Sequence, residues 1–364
     1  MKIGVLGGGQ LGRMMALAGY PLGFVLRFLD KTDNSPAGQV SDCVAADFND
    51  TEALTRFAQG LDAVTYEFEN IPASAAHYLS EHVPRFLPPP HALEIAQDRL
   101  RQKQFFQKLG IPAPRFYAVE SRGDLERGLE FTGLPAVLKT QRWGYDGKGQ
   151  TVLRQPAEID AAWAAVGGAP TVLEGFIRFE REVSLVSVRS PAGQTAFYPL
   201  TENHHREGIL RLSLAPAPEI PQDIQEQAQN YARKIFQELD YAGVLTIEFF
   251  YVEGKLLANE MATRVHNSGH WTIEGTETSQ FENHLRAIAG LPLGSTRPRG
   301  FSAMVNFIGC VPARDQVLEI PGVHLHLYGK KPRPGRKLGH ATVCAPRFEE
   351  LAPALEKLQK LAGC

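Results

Sequence analysis

The sequence predicts a mixed α/β and α+β protein: a parallel-sheet domain first, a central domain built mainly on antiparallel sheet, and a small C-terminal domain packed on it. Three observations lead there. Strand and helix signals alternate through residues 1–91, short strands separated by glycine turns take over from Arg115, and breaks rich in Pro and Gly fall at Pro88-Pro89-Pro90 and between Pro292 and Arg299.

Ile3 to Leu6 reads as a buried strand, Leu11 to Ala18 as a helix, and Phe24 to Leu29 and Asp62 to Glu67 as further strands, the alternation of a parallel sheet covered by helices. The three prolines at 88–90 are expected to exclude regular structure, and Ala92 to Leu109 to form one helix stopped by Gly110-Ile111-Pro112. Strands follow at 135–141, 150–154, 171–177 and 181–189. An amphipathic helix covers 222–239, a strand pair 244–251 and 255–261, and a helix 279–289. The last segment offers strands at 302–308, 323–328 and 340–344 and a helix near 349–361. The domain bounds expected are 1–91, 92–295 and 296–364.

The 364 residues suffice for two or three domains. With 38 Lys and Arg against 40 Asp and Glu, no large field of one sign points to nucleic acid or a membrane surface, so any phosphate site is local. No apolar run reaches the length of a membrane span, and the start of the chain is too short and glycine-broken for a signal peptide. The four widely spaced cysteines suggest neither a zinc cluster nor a disulfide framework, and a cytoplasmic location is expected.

Gly7-Gly8-Gly9-Gln10-Leu11-Gly12 satisfies Gly-x-Gly-x-x-Gly between a strand and a helix, with Asp30 ending the next strand. That is a Rossmann-like arrangement whose backbone N–H groups suit a phosphate, of NAD(P) or of another ligand, though such a turn also serves plain packing. Lys139 ends an apolar strand just before Gly144-Tyr145-Asp146-Gly147-Lys148-Gly149-Gln150, a cation beside a glycine-dense loop able to close over phosphates; a simple hairpin is the alternative. Glu248 and Glu260 sit in adjacent strands. A three-residue loop at Glu253-Gly254-Lys255 places them directly opposite, where two carboxylates call for a cation such as Mg²⁺; a two-residue turn separates them. Arg264-Val265-His266-Asn267-Ser268-Gly269-His270-Trp271 is dense in donors for an anion, and the segment from Lys330 to Lys337 is a basic, proline-stiffened loop.

The order of these motifs resembles the ATP-grasp superfamily. Within it, Glu67-Phe68-Glu69-Asn70-Ile71-Pro72, the 144–150 loop, the 264–272 run and Arg333-Pro334-Gly335-Arg336-Lys337 are similar to the 5-(carboxyamino)imidazole ribonucleotide synthase family. The resemblance covers nearly the whole chain. It implies an ATP-grasp central domain with a lid subdomain over about 113–176. Arg99 and Lys139 would meet ATP phosphates, and Gly144, Tyr145, Asp146, Gly147, Lys148, Gly149 and Gln150 would form the lid. Glu174, Gly175, Phe176 and Ile177 would line the adenine hinge. Glu182 would bind ribose, with His205 or its neighbour His204 beside the nucleotide. Asn259 would lie at the nucleotide next to Glu260, and Glu248 with Glu260 would hold Mg²⁺. It turns Gly9, Gln10, Leu11 and Glu67 toward a ribonucleotide instead of NAD.

The activity implied is ATP- and bicarbonate-dependent carboxylation of the exocyclic amine of aminoimidazole ribonucleotide through carboxyphosphate. Arg264, with Lys139 and Mg²⁺, would offset charge on the transferred phosphoryl group; Tyr145, His266 and Asn267 would position bicarbonate or carboxyphosphate, and Lys330 (or Lys331), Arg336 and Lys337 would approach the nucleotide phosphate or the intermediate. The resemblance further implies a homodimer acting on a small molecule, without nucleic acid or membrane. Rival readings are another acyl-phosphate ligase of the superfamily, such as one formylating glycinamide ribonucleotide, and an NAD(P) oxidoreductase built on the first glycine loop.

Overall fold

The computed structural model describes residues 1–142, 144 and 149–363. The first sheet is wholly parallel, in the spatial order Asp42–Ala45, Val25–Asp30, Lys2–Leu6, Ala63–Tyr66. Its central strand is apolar on both faces because helices cover both, with Ile3, Val5 and Leu6 fully buried.

The single helix expected over 92–109 is two helices, Pro90–Ala96 and Arg99–Lys108. Asp98 divides them: its backbone is extended and its carboxylate accepts the N–H of Arg101 at 3.1 Å, capping the second helix. The proline run does not exclude regular structure either, since Pro90 opens the first of these helices, where its missing N–H is no loss.

A four-stranded antiparallel sheet, ordered Phe116–Val119, Thr171–Gly175, Ala136–Thr140, Gln150–Leu153, carries the lysine strand. The largest sheet has nine strands. It runs from the edge strand Lys255–Ala262 through Gly243–Val252, Arg181–Arg189, Thr201–Arg206, Ile209–Ala215 and Phe301–Ile308 to Lys337–Ala345 and Val323–Leu327, with Thr195–Phe197 as a further partner of Arg181–Arg189. The C-terminal strands thus continue the central sheet across residue 296. One face packs Val183, Leu185, Leu245, Ile247 and Phe249 on helix Gln222–Glu238. Strand alternation therefore turns Ser184, Thr246 and Glu248 to the other face, where the candidate site lies.

The hairpin Thr201–Arg206/Ile209–Ala215 was not expected: Thr-Glu-Asn-His-His-Arg lacks an apolar alternation, because its inward residues are polar. Cys43 and Cys344 are free thiols, whereas Cys310 is disulfide-bonded, which the cysteine spacing did not suggest. Among the described residues no helix is long and apolar enough to cross a membrane.

Candidate active site

The hairpin Gly243–Val252/Lys255–Ala262 turns on two residues, Glu253 and Gly254, both at positive φ (48° and 74°), and Val252 pairs with Lys255. The three-residue loop expected is absent. Continued regularly, this register would set Glu248 opposite Asn259. Instead a β-bulge intervenes: Phe249 pairs with Ala258 and Glu248 with Glu260, leaving Asn259 as the extra residue. The two carboxylates face each other, by a route other than the turn.

His266 Nε2 lies 3.1 Å from Glu248 Oε1, and its Nδ1 2.9 Å from Ser268 Oγ. Burial works to raise the pKa of Glu248, but the His266 contact and the charges of His205 and Lys337 outweigh it and hold the carboxyl well below its usual range. Glu260 moves the other way: burial and then the charge of Glu248 push it up, against the pull of Arg99 and Lys139.

Lys139 Nζ is 3.1 Å from Glu174 Oε2, and Lys103 Nζ reaches the same oxygen at 3.1 Å. Burial opposes ionisation of Glu174, yet the two ammonium groups drive it down to about 2. Glu174 thus presents its side chain to the lysines. Of the hinge amides, Gly175 N–H and Phe176 N–H are engaged by the carbonyls of Arg115 and Pro135, at 2.9 and 3.0 Å; Ile177 follows beyond the strand end. Arg99 spans Thr140 O and Gly144 O, both at 2.9 Å, so it fastens the base of the glycine loop. Gly149 returns at φ 69°, its carbonyl accepting Thr140 N–H, and Gln150 pairs with Lys139. Tyr145, Asp146, Gly147 and Lys148 lie outside the described residues.

His205 hydrogen-bonds Glu182, whereas His204 turns to Glu202 at 2.9 Å. Burial would discharge His205, but Glu182 and Glu248 raise its basicity overall. His205, not His204, therefore stands with Glu182 and Glu248. Asn267 is locked to Asn306 by reciprocal amide hydrogen bonds of 3.1 and 2.8 Å. Arg264 donates to Glu69 Oε2 at 2.7 Å; burial disfavours its charge, but Glu69, Glu67 and Glu260 keep it protonated.

The first glycine loop is engaged by the protein's own acids. Gly8 N–H donates to Asp30 at 2.6 Å, and Gly9 and Gly12 donate to Glu67 at 2.9 and 3.2 Å. Leu11 is core, so it offers a ligand no more than main chain. Gln10 hydrogen-bonds Lys330, which joins the basic C-terminal loop to the glycine turn; Lys331 is exposed. Burial lowers Lys330 to about 8, although Glu67 opposes the fall. Arg336 Nη1 donates to Lys331 O at 3.1 Å within its own loop, while Lys337 acts on Glu248 and His205.

Residues 1–97 match the ribonucleotide synthetase preATP-grasp domain, 104–281 the ATP-grasp domain, and 302–353 the phosphoribosylaminoimidazole carboxylase C-terminal domain. The N5-carboxyaminoimidazole ribonucleotide synthase of Pseudomonas aeruginosa is 54% identical over 348 residues, spanning 95% of this chain and 96% of that relative. The chain belongs to the N5-carboxyaminoimidazole ribonucleotide synthase family. The crystal structure of the synthetase from Thermus thermophilus superposes with a TM-score of 0.95 at 57% identity, covering 99% of this chain and 98% of that one. That of the Aspergillus clavatus synthase, in complex with ADP and 5-aminoimidazole ribonucleotide, has a TM-score of 0.90 at 34% identity over 99% and 98%.

Two residues beside the site escaped the sequence reading, Gln102 and Lys103, and Glu69 was read only as part of its motif, not as the partner of Arg264. Lys103 carried a usable signal, since it stands three residues before Phe106 and shares that residue's buried face. A lysine placed there needs a buried anion, which is Glu174.

Proposed function

We propose that this chain is an ATP-dependent carbon–nitrogen ligase that carboxylates the exocyclic amine of 5-aminoimidazole ribonucleotide with bicarbonate, releasing ADP and phosphate. One continuous set of charges carries the reading. Glu260 feels Lys139 and Arg99 and acts on Arg264; Arg264 in turn feels Glu67, and Glu67 acts on Lys330, which is bonded to Gln10. A triphosphate end and a nucleotide end are thereby linked through the facing glutamates, with room in the chemistry for a small anion between them.

The residues fit Mg²⁺. Two half-buried carboxylates oppose each other, one of them pushed up by burial and by the other's charge, and among the described residues no group of three or more His, Cys, Asp or Glu is placed to hold a metal. Mg²⁺ takes one or two carboxylates and completes its shell with water and phosphate oxygens. Bound there, it would supply neutralisation of phosphate charge.

Lys139, drawn from Glu174 by a stronger anion, holds the phosphates, and Arg99 anchors the loop that closes over them. Arg264, His266 and Asn267 orient bicarbonate, whose oxygen attacks the outermost phosphorus while ADP leaves with the bonding pair. The carboxyphosphate formed is hydrolysed quickly by water, so the lid has to shut first. The exocyclic nitrogen then bonds to the carboxyl carbon, directly or after CO₂ is released; phosphate departs with its electron pair and the amine loses a proton. Gln10, Glu67, Lys330 and Lys337 hold the ribonucleotide. On the same likeness the enzyme acts in the cytoplasm as a homodimer.

The test is ADP formation with Mg-ATP and bicarbonate, with and without aminoimidazole ribonucleotide. Bicarbonate-dependent turnover stimulated by that nucleotide is expected. Turnover that requires formate in place of bicarbonate points to the formylating alternative, and NADH oxidation without the nucleotide refutes the proposal. Engagement of the glycine-loop amides by Asp30 and Glu67 argues against a dinucleotide there.

A further inference from the structure

Helix Arg99–Lys108 lies along the edge strand Lys255–Ala262, where another strand would otherwise add. It bonds the main chain on both sides of Glu260. Gln102 Oε1 accepts Met261 N–H at 2.9 Å, and Lys103 Nζ donates to Asn259 O at 2.8 Å, while Pro112 O, just past the helix, accepts Ala258 N–H at 2.7 Å. Both side chains are themselves anchored: Gln102 Nε2 donates to Ala96 O at 2.6 Å, and Lys103 reaches Glu174 at 3.1 Å.

These are costly groups to bury. Gln102 and Lys103 are 5% and 1% exposed and stand beside the buried Phe105 and Phe106, where apolar side chains would pack without desolvation cost. What they hold is the bulge. The two-residue turn by itself selects the regular register, with Glu248 opposite Asn259, and a one-residue slip sends the following side chains to the opposite face. In the bulged register the edge-strand groups Asn259 C=O and Met261 N–H point away from the sheet, and the helix supplies their partners.

We infer that Gln102 and Lys103 are positioning residues that lock the bulge at Asn259 and so keep Glu260 opposite Glu248, where the pair serves a divalent cation. This rests on the reading of those glutamates as the cation's ligands. The metal geometry of this chain is set from a helix that contributes no ligand, by contacts to the main chain.

The probe is Mn²⁺, followed by its electron paramagnetic resonance signal as it binds the full chain with ADP, in the wild type and in Gln102→Leu, Lys103→Met, Lys103→Arg and Glu260→Gln. Gln102→Leu and Lys103→Met are expected to weaken Mn²⁺ binding about 10- to 100-fold, the usual cost of losing the support behind a metal ligand. Metal-free ADP affinity stays within about twofold in Gln102→Leu, and Lys103→Arg, which keeps a donor, recovers part of the loss. A cooperatively unfolding Gln102→Leu or Lys103→Met with wild-type Mn²⁺ affinity overturns the inference; if one variant does not fold, the other decides. A metal–nucleotide complex in which Asn259 leaves the bulge overturns it as well. If Glu260→Gln itself holds Mn²⁺ like the wild type, the assignment of the glutamates has failed instead.

Discussion

Glu248 and Glu260 are direct cross-strand partners in a hairpin whose two-residue turn would have paired Glu248 with Asn259; the extra residue is Asn259 itself. Like charges opposite one another on a sheet repel, and here the strain is carried by Glu260, whose acid is pushed up by burial and by Glu248. Glu260→Gln relieves that repulsion while removing a charge that, on the function proposed, holds the cation. The fold is expected to persist, with an unchanged or higher melting temperature, while ADP formation falls by at least about 100-fold, as loss of several kcal/mol of charge stabilisation implies. Turnover and thermal unfolding measured on one preparation separate the two effects.

Glu174 is the shared counter-charge of Lys103 and Lys139, and its replacement leaves a buried ammonium without an anion. Glu174→Gln is expected to cost about 3–5 kcal/mol in unfolding free energy, the range for breaking one side of a buried ion pair. Its folded carboxyl is depressed to about 2 from an ordinary 4.5, so the stability it contributes is present above about pH 4.5 and is lost as pH falls toward 2. Denaturant titrations between pH 5 and 3 check this: the wild type loses stability over that interval more steeply than Glu174→Gln.

Lys330 falls to about 8 because it is half-buried beside other cations, with Glu67 resisting. If its ammonium holds the ribonucleotide, kcat/KM for that substrate declines as pH rises through about 8, because the free enzyme loses the charge. Lys330→Arg keeps its charge throughout and is expected to flatten that limb, whereas Lys330→Met is low at every pH. Steady-state profiles in the nucleotide at saturating ATP give the answer, and an identical limb in Lys330→Arg rejects the assignment.

Gly9 stands against Glu67 so closely that a Cβ would fall on the carboxylate oxygens, inside van der Waals contact. Gly9→Ala must displace Glu67 from the amides of Gly9 and Gly12. The expected result is a loss of about 1–3 kcal/mol of stability from overpacking, with a KM for the ribonucleotide raised well beyond any change in the KM for ATP. Equal changes in both constants would indicate a general structural defect.

Much of the fold was legible because it follows from local pattern. The apolar runs at 3–6 and 181–189, the amphipathic helix from Gln222 and the capped helix after Ser279 all declare their period in the sequence. The hairpin at 201–215 did not, since its inward side chains, Asn203 and Ser213, are satisfied by one another and by Ser184 across strands the sequence does not join. The break at Asp98 was hidden likewise: a capping carboxylate inside a helical period reads as one more polar residue until its neighbours are placed.

By itself the sequence determined which chemical groups are present and in what order: a glycine turn, a lysine strand, a glycine loop, two acidic strands and a basic loop. Only the tertiary structure decided which of them meet. His205 is turned to Glu182 and His204 to Glu202, and Lys330 is bonded to Gln10 while Lys331 is exposed. The opposition of Glu248 and Glu260 was decided by a bulge whose unpaired main-chain groups are bonded by Gln102 and Lys103, more than 150 residues earlier. The physical reason is that turn length and side-chain period act over a few residues, whereas the desolvation of a buried polar group is offset only by whatever partner the rest of the fold brings to it.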